Sequence, residues 1–261
     1  MISKLKKAKK RCSNYRKRLL EISQKVQALH VGGSFSSVEA MDVIYNVLKK
    51  KNDKVILSKG HCGIIQYIIL EDHKIISKKL LNSYCQPNGK LGVHPEVFTR
   101  GIEASTGSLG HGLAIAAGMT IANRKNKIFV VLSDGELMEG SVWETALIIS
   151  SLNLNNLIIV IDNNDLQSAT RATNTHPSLY PIKEKFKNFG WDSEYCDGHN
   201  SFDIYKKISK KKKNKPFALI SKTIKGYPIS FMKDVPMWHY RSPNKTEYKQ
   251  SLKELEKKEF I

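Results

Sequence analysis

Asp134 and Asn164 stand thirty residues apart, each at the end of a short apolar run. A carboxylate and an amide oxygen are hard donors that suit Mg2+, which takes one or two protein groups and fills its shell with phosphate oxygens and water. The pair therefore reads as a clamp for a Mg2+-bound diphosphate. Asp-Gly and Asn-Asn are also ordinary turn dipeptides. The clamp requires elements that bring both groups to one place.

Those elements are legible around it. Residues 128–133 and 157–162 are apolar and rich in β-branched types, so each predicts a strand. Between them Trp143, Ala146, Leu147 and Ile148 fall at helical spacing. Strand, crossover helix and parallel strand would deliver both polar groups to the carboxyl edge of one sheet, where open α/β folds bind ligands. Elsewhere residues 11–30 predict an amphipathic helix through Leu19, Leu20, Ile22, Val26 and Leu29. Ser36 and Glu39 have the spacing of a capping box opening a helix from Val38 to Leu48. Val55 to Leu57 predicts a buried strand, and Gly60 opens a helix carrying Ile64, Ile65, Tyr67, Ile68 and Leu70. A glycine-rich loop at Gly107 runs into a small-residue helix ending near Asn123. Helices over 180–189 and 201–213 alternate with strands over 191–196 and 217–221. This alternation predicts an α/β fold, a doubly wound, mostly parallel sheet flanked by helices.

Composition narrows the class. The chain has 261 residues, 41% of them hydrophobic, enough for a sizeable core. No apolar run approaches a membrane span, and the basic N-terminus is not followed by a signal-peptide core, so a cytoplasmic location is expected. Cys12, Cys62, Cys85 and Cys196 have no metal-ligand spacing and read as free thiols in a reducing compartment. The net charge is +19, with nine basic residues between Lys4 and Arg18 and a second run from Lys206 to Lys215. The excess is 36 Lys against 7 Arg, whereas Arg is favoured for bidentate phosphate and base contacts. No aromatic residues interleave the second run to make a stacking platform. A solvated face that steers anionic substrates fits better than a nucleic-acid or membrane site.

The clamp's neighbours carry a family resemblance. Ser133-Asp134-Gly135 followed by Asn163-Asn164 resembles the thiamine diphosphate motif, with Ser133 in place of the usual first glycine. Further segments are similar to transketolases: His30 to Ser34, Ser58 to His61, His94 to Glu96, Ser105 to Gly112, Lys222 to Gly226, and Trp238-His239. Their order and spacing agree over roughly residues 15 to 243. The resemblance implies a thiamine diphosphate-binding domain over 15–245, preceded by a loose basic extension over 1–14 and followed by a helical tail over 246–261. It implies that Asp134, Asn164 and the Leu166 carbonyl hold Mg2+, or Ca2+ or Mn2+ in its place. Gly135, Glu136, His61 and His239 would approach the diphosphate, and backbone at Gly107, Ser108 and Leu109 the aminopyrimidine. His30, His94 and His239 would serve the ketose, work suited to imidazoles near neutral pH. Tyr240 stands where the family often has glycine. Glu139 and Glu144 would face a neighbouring subunit, while Asp197-Gly198-His199 matches a structural turn.

The resemblance covers only the diphosphate-binding half. Transketolases also use a pyrimidine-binding domain, and about twenty residues follow the last matched motif. The expectation is the N-terminal subunit of a split transketolase. A separate C-terminal subunit would complete the site in a homodimer of heterodimers. That enzyme would move a two-carbon ketol unit from a ketose, or ketose phosphate, to an aldose. Alternatives are a deoxyxylulose phosphate synthase-like or 2-oxo acid dehydrogenase-like subunit, or an inactive scaffold binding nucleic acid. His30 and His94 favour ketose chemistry, and the intact Asp134 and Asn164 argue against an inactive scaffold.

Overall fold

The computed structural model describes residues 2–257. In chain order its strands are Lys54–Leu57 (β1), Ile128–Ser133 (β2), Leu157–Asn163 (β3), Leu166–Gln167 (β4), Thr170–Arg171 (β5), Asp192–Asp197 (β6) and Phe217–Lys222 (β7). Five of them form one sheet in the order β1-β2-β3-β7-β6, every neighbouring pair parallel. The two-residue strands β4 and β5 make a separate antiparallel hairpin.

The central strands are apolar throughout because both faces of the sheet are covered. Phe129 and Val131 of β2, Ile158 and Val160 of β3, and Phe217 and Leu219 of β7 pack into one core. Their neighbours Val130, Leu132, Ile159, Ile161, Ala218 and Ile220 pack into a second core on the opposite face. Side chains alternate between faces with a period of two, so a run with no polar residue fills two cores at once. The register pairs Ser133 with Asp162. Asp134 therefore leaves β2 level with the end of β3.

The N-terminal segment differs from expectation. Helix Ala8–Ser23 crosses the anticipated boundary at residue 14 and ends seven residues before position 30. Its apolar side, including Cys12, Tyr15, Leu19 and Leu20, is buried. Arg11 meets Asp42 through two bonds of 2.7 and 2.8 Å, and Arg16 meets Glu39 at the same two distances. The lysines up to Lys10 all face water. The segment is not loose, because its arginines find buried carboxylates and its apolar stripe finds the core.

The capping box also gives way to tertiary demands. Ser36 closes helix Val31–Ser36 and donates to buried Asp162 at 2.6 Å, while Glu39 is taken by Arg16. The next helix, Val38–Asp42, continues as a π-helix over Val43–Leu48. Helix Ser201–Ser209 stops short of Lys213. The C-terminal helix Lys245–Leu255 starts on a true capping box, Asn244 with Glu247. It buries Leu255, whose carbonyl accepts from Ser13 at 3.1 Å, so the tail packs on the first helices. Its expected extension to Phe260 lies outside the described residues. Among those residues no helix is long and apolar enough to cross a membrane.

Candidate active site

Asp134 and Asn164 emerge side by side at the carboxyl edge of the sheet, both buried. Asp134 Oδ1 accepts from the Gly135 amide at 2.9 Å; Oδ2 accepts from the Asp165 amide at 2.6 Å and from Asn163 Nδ2 at 3.0 Å. Burial, reinforced by the nearby Asp162, pushes its pKa up to about 6. Asn164 Oδ1 accepts from the Leu166 amide at 3.0 Å. The Leu166 carbonyl accepts from Lys225 Nζ at 3.2 Å. A carboxylate, an amide oxygen and a peptide carbonyl thus share one edge, and each carbonyl oxygen keeps a second lone pair. This all-oxygen set fits Mg2+ chemically. It contains a single carboxylate, consistent with finding no cluster of three His, Cys, Asp or Glu metal ligands among the described residues.

A cavity of about 130 Å3 opens beside these groups, lined by Lys59, His61, Ser133, Gly135, Lys225 and His239, with Leu109 and Gln167 at its sides. That volume suits a diphosphate head rather than a whole cofactor. A Cβ on Gly135 would come within 3.0 Å of Gln167 Cβ, so glycine keeps the cradle open. Gly107 has φ +146°, and a Cβ there would meet the His94 ring at 2.8 Å. A larger cavity of about 450 Å3, near Arg16, His199 and Phe202, holds none of these groups.

Two imidazoles, His61 and His239, line the small cavity, and a third, His30, packs against both. The His30 ring lies 5.2 Å from both His61 and His239, and His61 lies 5.7 Å from His239. Burial, then His94 and the lysines Lys225 and Lys59, lowers the His30 pKa to about 4. Burial and Lys225 take His239 to about 3, and burial with Lys59 takes His61 well below its ordinary value. All three are neutral at pH 7. Lys225 Nζ lies 2.9 Å from His239 Nδ1. A charged lysine can only donate there, which places the ring proton on Nε2. Burial and the neighbouring Lys59 lower Lys225 itself to about 8. Lys59 is opposed by burial yet raised by Asp162, with which it forms a wholly buried ion pair that also reaches Gly33 O and Ser37 Oγ.

The remaining expected residues divide. Leu109 lines the cavity, whereas Ser108 is exposed. Exposed His94 packs its ring on Gly107 and accepts the Tyr67 hydroxyl at its carbonyl at 2.9 Å. Glu136 does not line the cavity. Its carboxylate accepts from the Ser58 hydroxyl and, at 3.0 Å, from the Gly110 amide, so it pins the Gly107–Gly110 loop from behind. Glu139 and Glu144 are both exposed near the start of helix Gly140–Ser151. His199 is a brace: its ring stacks on Tyr227 and accepts the Ile224 amide at 2.8 Å. Lys59 and Lys225 received no role from sequence. Both lie in segments that resemble the family, Ser58 to His61 and Lys222 to Gly226, and that placement was the signal that could have found them among 36 lysines.

Oxygen donors, a buried ammonium and neutral imidazoles around a small edge cavity define an α/β domain that binds a diphosphate cofactor. Residues 8–254 match the family described as "Transketolase, thiamine diphosphate binding domain". The chain is 34% identical over 256 residues to one of the subunits of the apulose-4-phosphate transketolase of Phocaeicola vulgatus, covering 92% of this chain and 90% of that protein. It is 33% identical over 258 residues to the 6-deoxy-6-sulfo-D-fructose transketolase subunit SqwG of a Clostridium species, covering 93% and 94%. Among solved structures, transketolase from Campylobacter jejuni superposes with a TM-score of 0.89 at 24% identity, over 95% of this chain and 43% of that one, a likeness of fold. The chain belongs to the transketolase family.

Proposed function

We propose that this chain provides the diphosphate-binding half of a two-subunit transketolase. A separate C-terminal subunit brings the pyrimidine-binding half, in a homodimer of heterodimers in the cytoplasm. The observation that carries this reading is the match to two proteins named as transketolase subunits, along 90% and 94% of their own lengths. The sugars in those relatives' names carry a phosphate or a sulfonate. The donor proposed here is accordingly a ketose with an anionic end, drawn in by the +19 charge.

In this reading Asp134, Asn164 and the Leu166 carbonyl hold Mg2+. His61, Lys225 and His239 Nε2–H bind the diphosphate, and Gly135 lets the backbone approach it. Bound thiamine diphosphate supplies the carbon nucleophile and the electron sink. His30, neutral at pH 7, accepts and returns a proton at a ketose hydroxyl, and His94 contacts the same sugar. Glu136 acts indirectly by holding the loop of Gly107, Ser108 and Leu109 against the aminopyrimidine. Glu139 and Glu144 meet the C-terminal subunit. Beside them Ile115 and Ile121 of helix His111–Ala122, with Leu147, Ile148 and Leu152, are between 37% and 52% exposed. Exposed apolar side chains gathered on two adjacent helices fit an interaction face.

The test is cofactor binding by calorimetry in the co-purified two-subunit complex. Asp134→Ala should abolish Mg2+-dependent thiamine diphosphate binding. Unchanged affinity would overturn the metal assignment.

A further inference from the structure

Tyr240 follows His239 directly, and the proposed function gives it no task. Its ring centroid lies 4.6 Å from that of His30, tilted by 42°. The residue is 55% exposed, although its neighbour Trp238 is only 2% exposed. The rings therefore form a path. His61 and His239 line the cavity, His30 touches both, and Tyr240 is the outermost member.

The backbone under Tyr240 is held at several points. Arg241 donates its amide to Leu29 O at 3.1 Å, beside a bridge between His30 and Arg241. The Arg241 guanidinium lies 4.3 Å from the centre of the Trp238 ring and pairs with Glu247 at 2.6 Å. Chain direction at 240 is thus set by its neighbours, and the tyrosine ring has little reason to be there for folding. Half of it faces water, and its hydroxyl makes no hydrogen bond among the described residues. An aromatic face with a free phenol at the mouth of a sugar site offers what a polyol needs. Its C–H side packs on the ring, and a hydroxyl bonds to the phenol.

We propose that Tyr240 is a specificity-determining residue of the ketose site, contacting the sugar chain beyond the two carbons transferred. The inference rests on the transketolase reading. The transferred carbons must sit near the cavity that holds the diphosphate, and Tyr240 lies outward of it, past His30. Whatever reaches the ring is the rest of the chain.

The experiment uses the two-subunit complex loaded with Mg2+ and thiamine diphosphate, comparing wild type with Tyr240→Phe and Tyr240→Ala. Donors are hydroxypyruvate, whose carbon beyond the ketol unit leaves as carbon dioxide, and a panel of xylulose 5-phosphate, fructose 6-phosphate and sedoheptulose 7-phosphate. Tyr240→Ala should change the ranking of kcat/KM across the ketoses by about tenfold, while hydroxypyruvate kinetics hold steady. Tyr240→Phe should show the hydroxyl's share. Assembly, read by size-exclusion chromatography, and cofactor affinity, read by calorimetry, should match wild type. An unaltered ranking overturns the inference, as does lost assembly, which would make Tyr240 an interface residue, or lost cofactor affinity. Absence of hydroxypyruvate turnover by the wild-type complex would instead overturn the transketolase reading itself.

Discussion

Two regions of this protein bury cations next to carboxylates, and they use them differently. Under the N-terminal helix, Arg16 gives Glu39 two short bonds and the Phe35 carbonyl a third. Burial alone would raise Glu39, but Arg16 and His199 outweigh it and hold it down at about 2. At the sheet edge, Lys59 and Asp162 form a comparable pair, yet around it stand a second ammonium, Lys225, three neutral imidazoles, and a carboxylate raised to about 6. Each region also buries a ring or guanidinium nitrogen with no hydrogen-bond partner among the described residues, Arg16 Nε in the first and His30 Nδ1 in the second. The first region balances its charges and holds helices together. The second sets two lysines and two carboxylates beside three neutral imidazoles at the small cavity, and burial pushes both Lys225 and Asp134 toward neutrality. The contrast lies in those shifts: Glu39 is held in its charged form, whereas Asp134 and Lys225 are both pushed away from theirs, the pattern that marks functional sites.

Breaking the balanced pair should have the largest effect on folding. Arg16→Ala strands Glu39 in the core and should cost about 3–5 kcal/mol, measured by urea unfolding. The same pair sets an acid signature. Glu39 ionises far more readily folded than unfolded, so its stabilisation is complete above about pH 4.5 and is lost as pH falls toward 2. A variant with no stability loss would mean that the two regions do not differ as described.

The opposite pattern is expected at the sheet edge. Lys225→Met keeps the buried stem while removing an ammonium that already repels Lys59, so unfolding should shift by only about 1 kcal/mol. Thiamine diphosphate affinity in the complex should fall by about 1.5–3 kcal/mol, the worth of a hydrogen bond from a charged group. A large stability loss with intact affinity would reverse the assignment. The smallest folding effect is expected outside both regions. Ile148→Asp should alter the stability of the isolated chain by no more than about 0.5 kcal/mol. It should nevertheless block assembly with the C-terminal subunit in size-exclusion chromatography, and normal assembly would remove that face from the interface.

Much of this architecture is readable from local patterns. β2 and β3 are unmistakable because interior parallel strands are apolar on both faces, and the groups at their ends follow from where the apolar runs stop. The N-terminal helix is harder to read, since a cluster of basic residues looks the same whether its arginines are solvated or paired. Asp42 and Glu39, which decide the matter, lie well downstream. Glu136 is hard to read for a related reason: its place beside the Asp134 motif says nothing about direction, and its carboxylate meets Ser58 and Gly110.

By itself the sequence determined the succession of the five sheet strands and the main helices between them, and placed Asp134 and Asn164 at the same edge of the sheet. Strand periodicity and apolar runs are short-range properties, written where they act. Only the tertiary structure decided that His30, His61 and His239 cluster beside one cavity and that Lys59 and Lys225 are the lysines enclosed there. It also decided that Tyr240 is the ring left outside. Burial and charge environment come from contacts between distant segments, and those contacts turn an ordinary histidine or lysine into one poised for a diphosphate.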